Sequence, residues 1–239
     1  MKKQLVLLVT ALTMSAGAFA QSVTEIMDKH IAALGGTDKI NAIKTIQYDQ
    51  TMNVQGMELA AKTTVVVNQS SRSDVSAMGQ NIVTVIDGDK GWMINPMTGN
   101  TAPQELPADQ VKLSAGNTEV TGLQLATAKS KGYDVELIGK EKLNNADVYN
   151  LRVARPEGRV NYYVDANTYN VVATKAIVVT GGQTAEVNAK FADFKPVEGV
   201  VMPHTLEMMV PGAPSAITVK VTKIAVNPTV DKAIFAMPK

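Results

Sequence analysis

The chain has 239 residues, 45% of them apolar and 19% charged, with a mean hydropathy of +0.01. That balance belongs to a folded globular chain, and it excludes disorder and a membrane-saturated protein. Lysine and arginine number 23 against 22 acidic residues, and losing Lys2 and Lys3 takes the net charge from +1 to −1, so no basic field exists to hold nucleic acid. Without cysteine there are no disulfides, zinc–thiolate sites, cysteine nucleophiles or lipid anchors on an N-terminal Cys, and 2 histidines supply metal chemistry thinly.

Met1-Lys2-Lys3 gives a positive start, Leu5 to Ala18 is apolar but too short to span a bilayer, and Ala18-Phe19-Ala20 fits small-x-small cleavage. Residues 1–20 therefore read as a signal peptide cut after Ala20. Gln21 stands where a lipobox would place Cys, so the expected product is soluble, free in the periplasm or secreted, with residues 21–239 forming one domain.

Ser22-Val23-Thr24-Glu25 matches a capping box, and Val23, Ile26, Met27, Ile31 and Leu34 recur at helical spacing until Gly35-Gly36. Thr37 or Asp38 caps a second short turn carrying Ile40 and Ile43. Period-two alternation then takes over. Strands are expected over 45–54 and 57–67, joined by Gln55-Gly56, and over 81–86 and 90–95, joined by Asp87-Gly88-Asp89. Between Pro103 and Lys131 the period changes, which predicts two short helices around Val111-Leu113 and Leu123-Ala128.

Strands return at 135–138, 148–153 and 160–164, and longer ones follow at 171–180, 185–194, 200–210 and 217–226. Asn144-Asn145, Pro156-Glu157-Gly158, Asp165-Ala166-Asn167, Gly181-Gly182, Glu198-Gly199 and Pro211–Pro214 punctuate them. The expected architecture is mainly β: one strongly curved antiparallel sheet of about eleven strands with a few short helices. Its apolar face is rich in methionine, which suits surfaces that accommodate variable apolar shapes, although spacing alone favours ordinary core.

His30 to Ile40, the Asp87–Pro96 turn with its Trp92, and Phe191-Ala192-Asp193-Phe194 followed by Met202-Pro203-His204 resemble, in that order, the Bacteroidetes-type periplasmic LolA-like proteins of outer membrane lipoprotein sorting. The resemblance spans nearly the whole chain after residue 20. It implies an unclosed β-barrel whose concave mouth is covered by helices and which carries acyl chains of lipoproteins, or a related lipid; from the residues themselves no catalysis and no cofactor are expected. It departs from the family's early-strand Arg-Pro pair, where this chain has Asn68-Gln69-Ser70-Ser71-Arg72.

On that basis the expected cavity residues are Met52, Val54, Leu59 and Val65, then Ile86, Trp92 and Met93, and finally Tyr162, Phe191, Met202, Leu206 and Met208. Ile26, Met27, Ile31, Val111 and Leu113 are the expected lid. Trp92 reads equally as a core anchor. The alternative reading is an envelope sensor or scaffold that uses the same half-barrel to bind an envelope membrane protein. No Gly-x-Ser-x-Gly elbow, phosphate loop or histidine–carboxylate–nucleophile set is visible, and His204 and Glu207, three apart on a strand, point to opposite faces rather than to one metal.

Overall fold

The computed structural model describes residues 22–156, 158–180, 183–209 and 215–238. The expected signal peptide, the Gly181-Gly182 and Pro211–Pro214 turns, and Glu157 of the Pro156–Gly158 turn lie outside the described residues.

Helix α1 (Val23–Ala33) starts where the Ser22 hydroxyl accepts the Glu25 N–H at 3.1 Å. It ends at Gly35, whose φ of +111° turns the chain aside. A Cβ there would strike the Gly199 carbonyl oxygen, because the end of α1 docks on the sheet through the Val201 N–H to Leu34 O bond of 2.9 Å. The short helix α2 (Thr37–Ala42) follows and leads directly into the first strand.

Among the described residues every strand joins one antiparallel sheet of 13 strands. The first meander is β1 (Thr45–Val54), β2 (Met57–Val66), β3 (Ser70–Ala77), β4 (Gln80–Asp87), β5 (Lys90–Asn95) and β6 (Asn100–Glu105). The second is β7 (Val135–Leu143), β8 (Ala146–Arg155), β9 (Gly158–Asp165), β10 (Val171–Thr180), β11 (Gln183–Val197), β12 (Val200–Met209) and β13 (Ile217–Val226). β1 pairs with β13, which joins the two meanders back to back and leaves β6 and β7 as the edges.

Two of these strands escaped the alternation rule. β3 reads SSRSDVSA, with hardly an apolar residue to mark a face, yet it is an interior strand. β6 carries Pro103, which a sheet tolerates at an edge, where one side of the ladder needs no N–H.

Since β6 and β7 are consecutive in sequence but lie at opposite edges, the segment between them must cross the sheet. Helix α3 (Ala108–Leu113) opens that crossing and lies against both β5 and β10, so the sheet curls into a half-barrel. The second expected helix does not form: residues 120–128 make irregular turns. Those turns place Val120 and Leu123 in one buried cluster with Leu34, Ile46 and Met202, and Leu125 and Ala128 in another with Ile26, Met27 and Leu151. Burial on the concave face, rather than helical periodicity, holds the segment down.

The convex face has its own small core. Val83, Val85 and Trp92 are buried there beneath the C-terminal Val230, Ile234 and Phe235, and Trp92 Nε1–H donates to the Phe235 carbonyl at 2.8 Å. No helix among the described residues is long and apolar enough to cross a membrane.

Candidate functional site

Between the sheet and the crossing segment lies a cavity of about 460 Å3, a volume that suits one ligand of small-molecule size. Its floor follows from strand register. Met52 on β1 faces Val219 on β13, Val219 faces Leu206 on β12, and Leu206 faces Phe191 on β11, so four neighbouring strands contribute one continuous apolar row. Met208, paired with Ala189, extends the row along β12. Val65 and Ile86 flank Ser71 on the opposite wall.

The roof is residues 116–124, which contribute Gly116, Asn117, Glu119, Thr121 and Gln124 to the lining. It is anchored at several points. The Asn68 N–H donates to the Thr118 carbonyl at 2.8 Å, tying the roof to the β2–β3 turn, and the Thr118 hydroxyl closes its own turn on the Ala115 carbonyl at 2.8 Å. Gly122, with φ of +84°, lets the backbone pass Pro203 where a Cβ would come within 2.6 Å of the proline ring.

The strongest anchor is ionic. Glu119 pairs with Arg155 on β8 and with Lys131 at 3.0 Å, and Arg155 also reaches the Tyr162 hydroxyl at 3.4 Å and lies over the Tyr133 ring at 5.6 Å. Burial opposes the Arg155 charge, but the Tyr162 hydroxyl and the Glu119 carboxylate outweigh it and hold its pKa above the ordinary range. Both side chains are under 10% exposed, so removing one would strand the other in a low-dielectric setting.

The structure brings together Met52, Val65, Ile86, Phe191, Leu206 and Met208 of the expected cavity residues. Val54, Leu59 and Met93 share the same face by alternation but lie beyond the lining, half-buried. Tyr162 and Met202 also face inward, yet α1 and the crossing segment cover them, so they are core. Trp92 is the clear exception: it pairs with Val85, one residue out of phase with the cavity-facing Ile86, and so sits on the convex face. Arg72 lies there too, ion-paired with Asp74 at 2.7 Å and 5.9 Å from the centre of the Trp92 ring.

The expected lid is placed differently again. Ile26, Met27 and Ile31 plug the concave face beside the cavity without lining it, and Val111 is the buried residue of α3. Leu113 borders a separate surface cleft with Lys112 and Arg159. What covers the cavity is the irregular segment 116–124, which no periodicity marks. Glu119 and Arg155 meet across 36 residues of sequence, a pairing with no local signal.

His30 is wholly buried on α1; its Nδ1–H donates to the Tyr169 carbonyl at 2.7 Å, and Nε2 has no partner. Burial outweighs that hydrogen bond and pushes its pKa down to about 4, so it packs as a neutral imidazole. His204 donates Nδ1–H to the Met202 carbonyl at 3.1 Å. Among the described residues, no three His, Cys, Asp or Glu side chains cluster as a metal site requires.

The sequence matches no protein-family model and no curated protein. The fold, however, is LolA-like. The chain is similar to a LolA superfamily protein from Nitrosomonas europaea at 14% identity and a TM-score of 0.59, with 92% of this chain and 99% of that one covered. It is also similar to a DUF1329 family protein from Desulfovibrio piger at 13% identity and a TM-score of 0.59, covering 90% and 97%. A domain classed as outer membrane lipoprotein-sorting from Vibrio parahaemolyticus aligns at 12% identity and a TM-score of 0.57, covering 88% and 94%. At these identities the likenesses show a shared fold.

Proposed function

We propose that this protein is a soluble periplasmic carrier that holds an acyl chain, from a lipoprotein or a related lipid, in the half-barrel cavity. On this reading residues 1–20 are its export signal and no catalysis takes place. The observation that carries it is the row Met52–Val219–Leu206–Phe191, an apolar strip across four strands that remains open to a cavity instead of being filled by the helices. Each methylene laid on such a strip gains about 0.8 kcal/mol, so part of an acyl chain supplies useful affinity while release stays feasible. The fold shared with a lipoprotein-sorting domain supports the same reading.

The test is mass spectrometry of the protein purified from periplasm without detergent, comparing native with denatured spectra and identifying the released lipid. A stoichiometric acyl-bearing adduct is expected. A bare chain that stays bare after incubation with lipids refutes the proposal.

A further inference from the structure

The opposite wall of the cavity is only partly apolar: beside Val65 and Ile86 it carries a polar row. Tyr48 on β1 faces Thr63 on β2, Thr63 faces Ser73 on β3, and Ser73 faces Thr84 on β4, so one cross-strand row presents four hydroxyl groups. All four residues line the cavity, as does Ser71, two positions along β3 on the same face. Thr63 donates to Gln50 Oε1 at 3.2 Å. The hydroxyls of Ser71, Ser73 and Thr84 have no hydrogen-bond partner among the described residues. The Tyr48 hydroxyl is buried beside Thr121 of the roof and makes no well-formed hydrogen bond of its own.

A buried polar atom without a partner is costly, and among the described residues of this row that applies to the Tyr48 hydroxyl; the Ser71, Ser73 and Thr84 hydroxyls open onto the cavity, where a ligand can complete them. Strand β3 shows the same pattern in sequence: an interior strand would ordinarily present apolar residues to a concave face, and this one presents Ser71 and Ser73. The charge around the cavity narrows the choice. Among the described residues no lysine or arginine lines it, and its one charged group, Glu119, is already committed to Arg155 and Lys131. An anionic headgroup would meet a carboxylate and no cation, whereas an uncharged hydroxyl-bearing headgroup can both donate to and accept from these side chains.

We infer that the cavity selects a single-chain amphiphile with a neutral polyol headgroup, of the monoacylglycerol or glycolipid kind. Its headgroup lies on the Tyr48–Thr63–Ser73–Thr84 row and its acyl chain on the Met52–Val219–Leu206–Phe191 row. This rests on the acyl-binding reading above. Tyr48 and Met52 are four residues apart on β1, so the two rows are about 13 Å apart, a separation that an extended lipid spans.

The test is titration calorimetry of the full-length secreted protein with three lauroyl probes, each below its micelle-forming concentration: monolauroylglycerol, laurate and lauroyl lysophosphatidic acid. Monolauroylglycerol is expected to bind at least about tenfold more tightly than either anion. The double variant Ser73→Ala with Thr84→Val, close to isosteric, is expected to weaken monolauroylglycerol about tenfold and leave laurate unchanged. Equal affinities for the three probes, or tighter binding of an anion, overturn the headgroup inference while the acyl-binding reading stands. Equal weakening of monolauroylglycerol and laurate in the double variant also overturns it, since that reports general damage to the wall. No binding of any probe overturns both.

Discussion

Acid should loosen this protein through His30. The imidazole is fully buried on α1, neutral, and depressed from an unfolded value of 6.5 to about 4 by desolvation. A group whose folded pKa lies below its unfolded one stabilises the fold above the unfolded value, and the contribution is lost as pH falls from 6.5 toward 4. The full difference is worth about 3 kcal/mol, and by pH 4.5 about 2.5 kcal/mol of it is gone. Urea unfolding followed through Trp92, the single tryptophan, at pH 7 and pH 4.5 reads the loss directly. The comparison is His30→Gln, whose amide can still donate to the Tyr169 carbonyl but cannot titrate. Carboxylates elsewhere contribute equally to both proteins and cancel. The wild-type protein should lose about 2.5 kcal/mol more than the variant across that interval. Equal losses in the two would refute a neutral, desolvated His30.

Other perturbations address the cavity and the helix dock. Leu206→Asp puts a carboxylate between Val219 and Phe191 in the apolar row and should cut retention of an acyl probe by more than about tenfold. Leu206→Ala, which removes about 2 kcal/mol of apolar contact, serves as the milder companion, and unchanged retention by both folded variants would remove Leu206 from the site. Gly35→Ala meets a left-handed φ of +111° together with the Gly199 carbonyl, and should lower stability by about 2–4 kcal/mol in the same urea assay. A loss below about 1 kcal/mol would show that α1 is not held where the structure docks it.

The cavity-lining residues were legible to the extent that strands were. Phe191, Leu206 and Met208 fall on well-alternating strands, and period two alone puts them on one face. Alternation names a face but not what covers it, and on that point Met202 and Leu206 differ: both point inward from β12, yet Leu34 and Leu123 cover the first while the second remains in the cavity wall. Trp92 was misplaced for a related reason. Gly91 precedes it in a short strand where the phase is ambiguous, and the C-terminal segment that buries it lies 143 residues away.

By itself the sequence determined the antiparallel, one-sided character of the chain, the start and stop of α1, and the absence of cysteine chemistry, because capping, turn residues and side-chain alternation act over a few neighbours. Only the tertiary structure decided that β1 and β13 close the chain on itself, that β3 enters the sheet on polar residues, and that residues 116–124 roof a cavity. Glu119 with Arg155, and Tyr48 with Thr63, Ser73 and Thr84, become groups only when distant strands meet in register. Local spacing carries no energy for contacts of that separation, which form by burial and ladder pairing across the whole sheet.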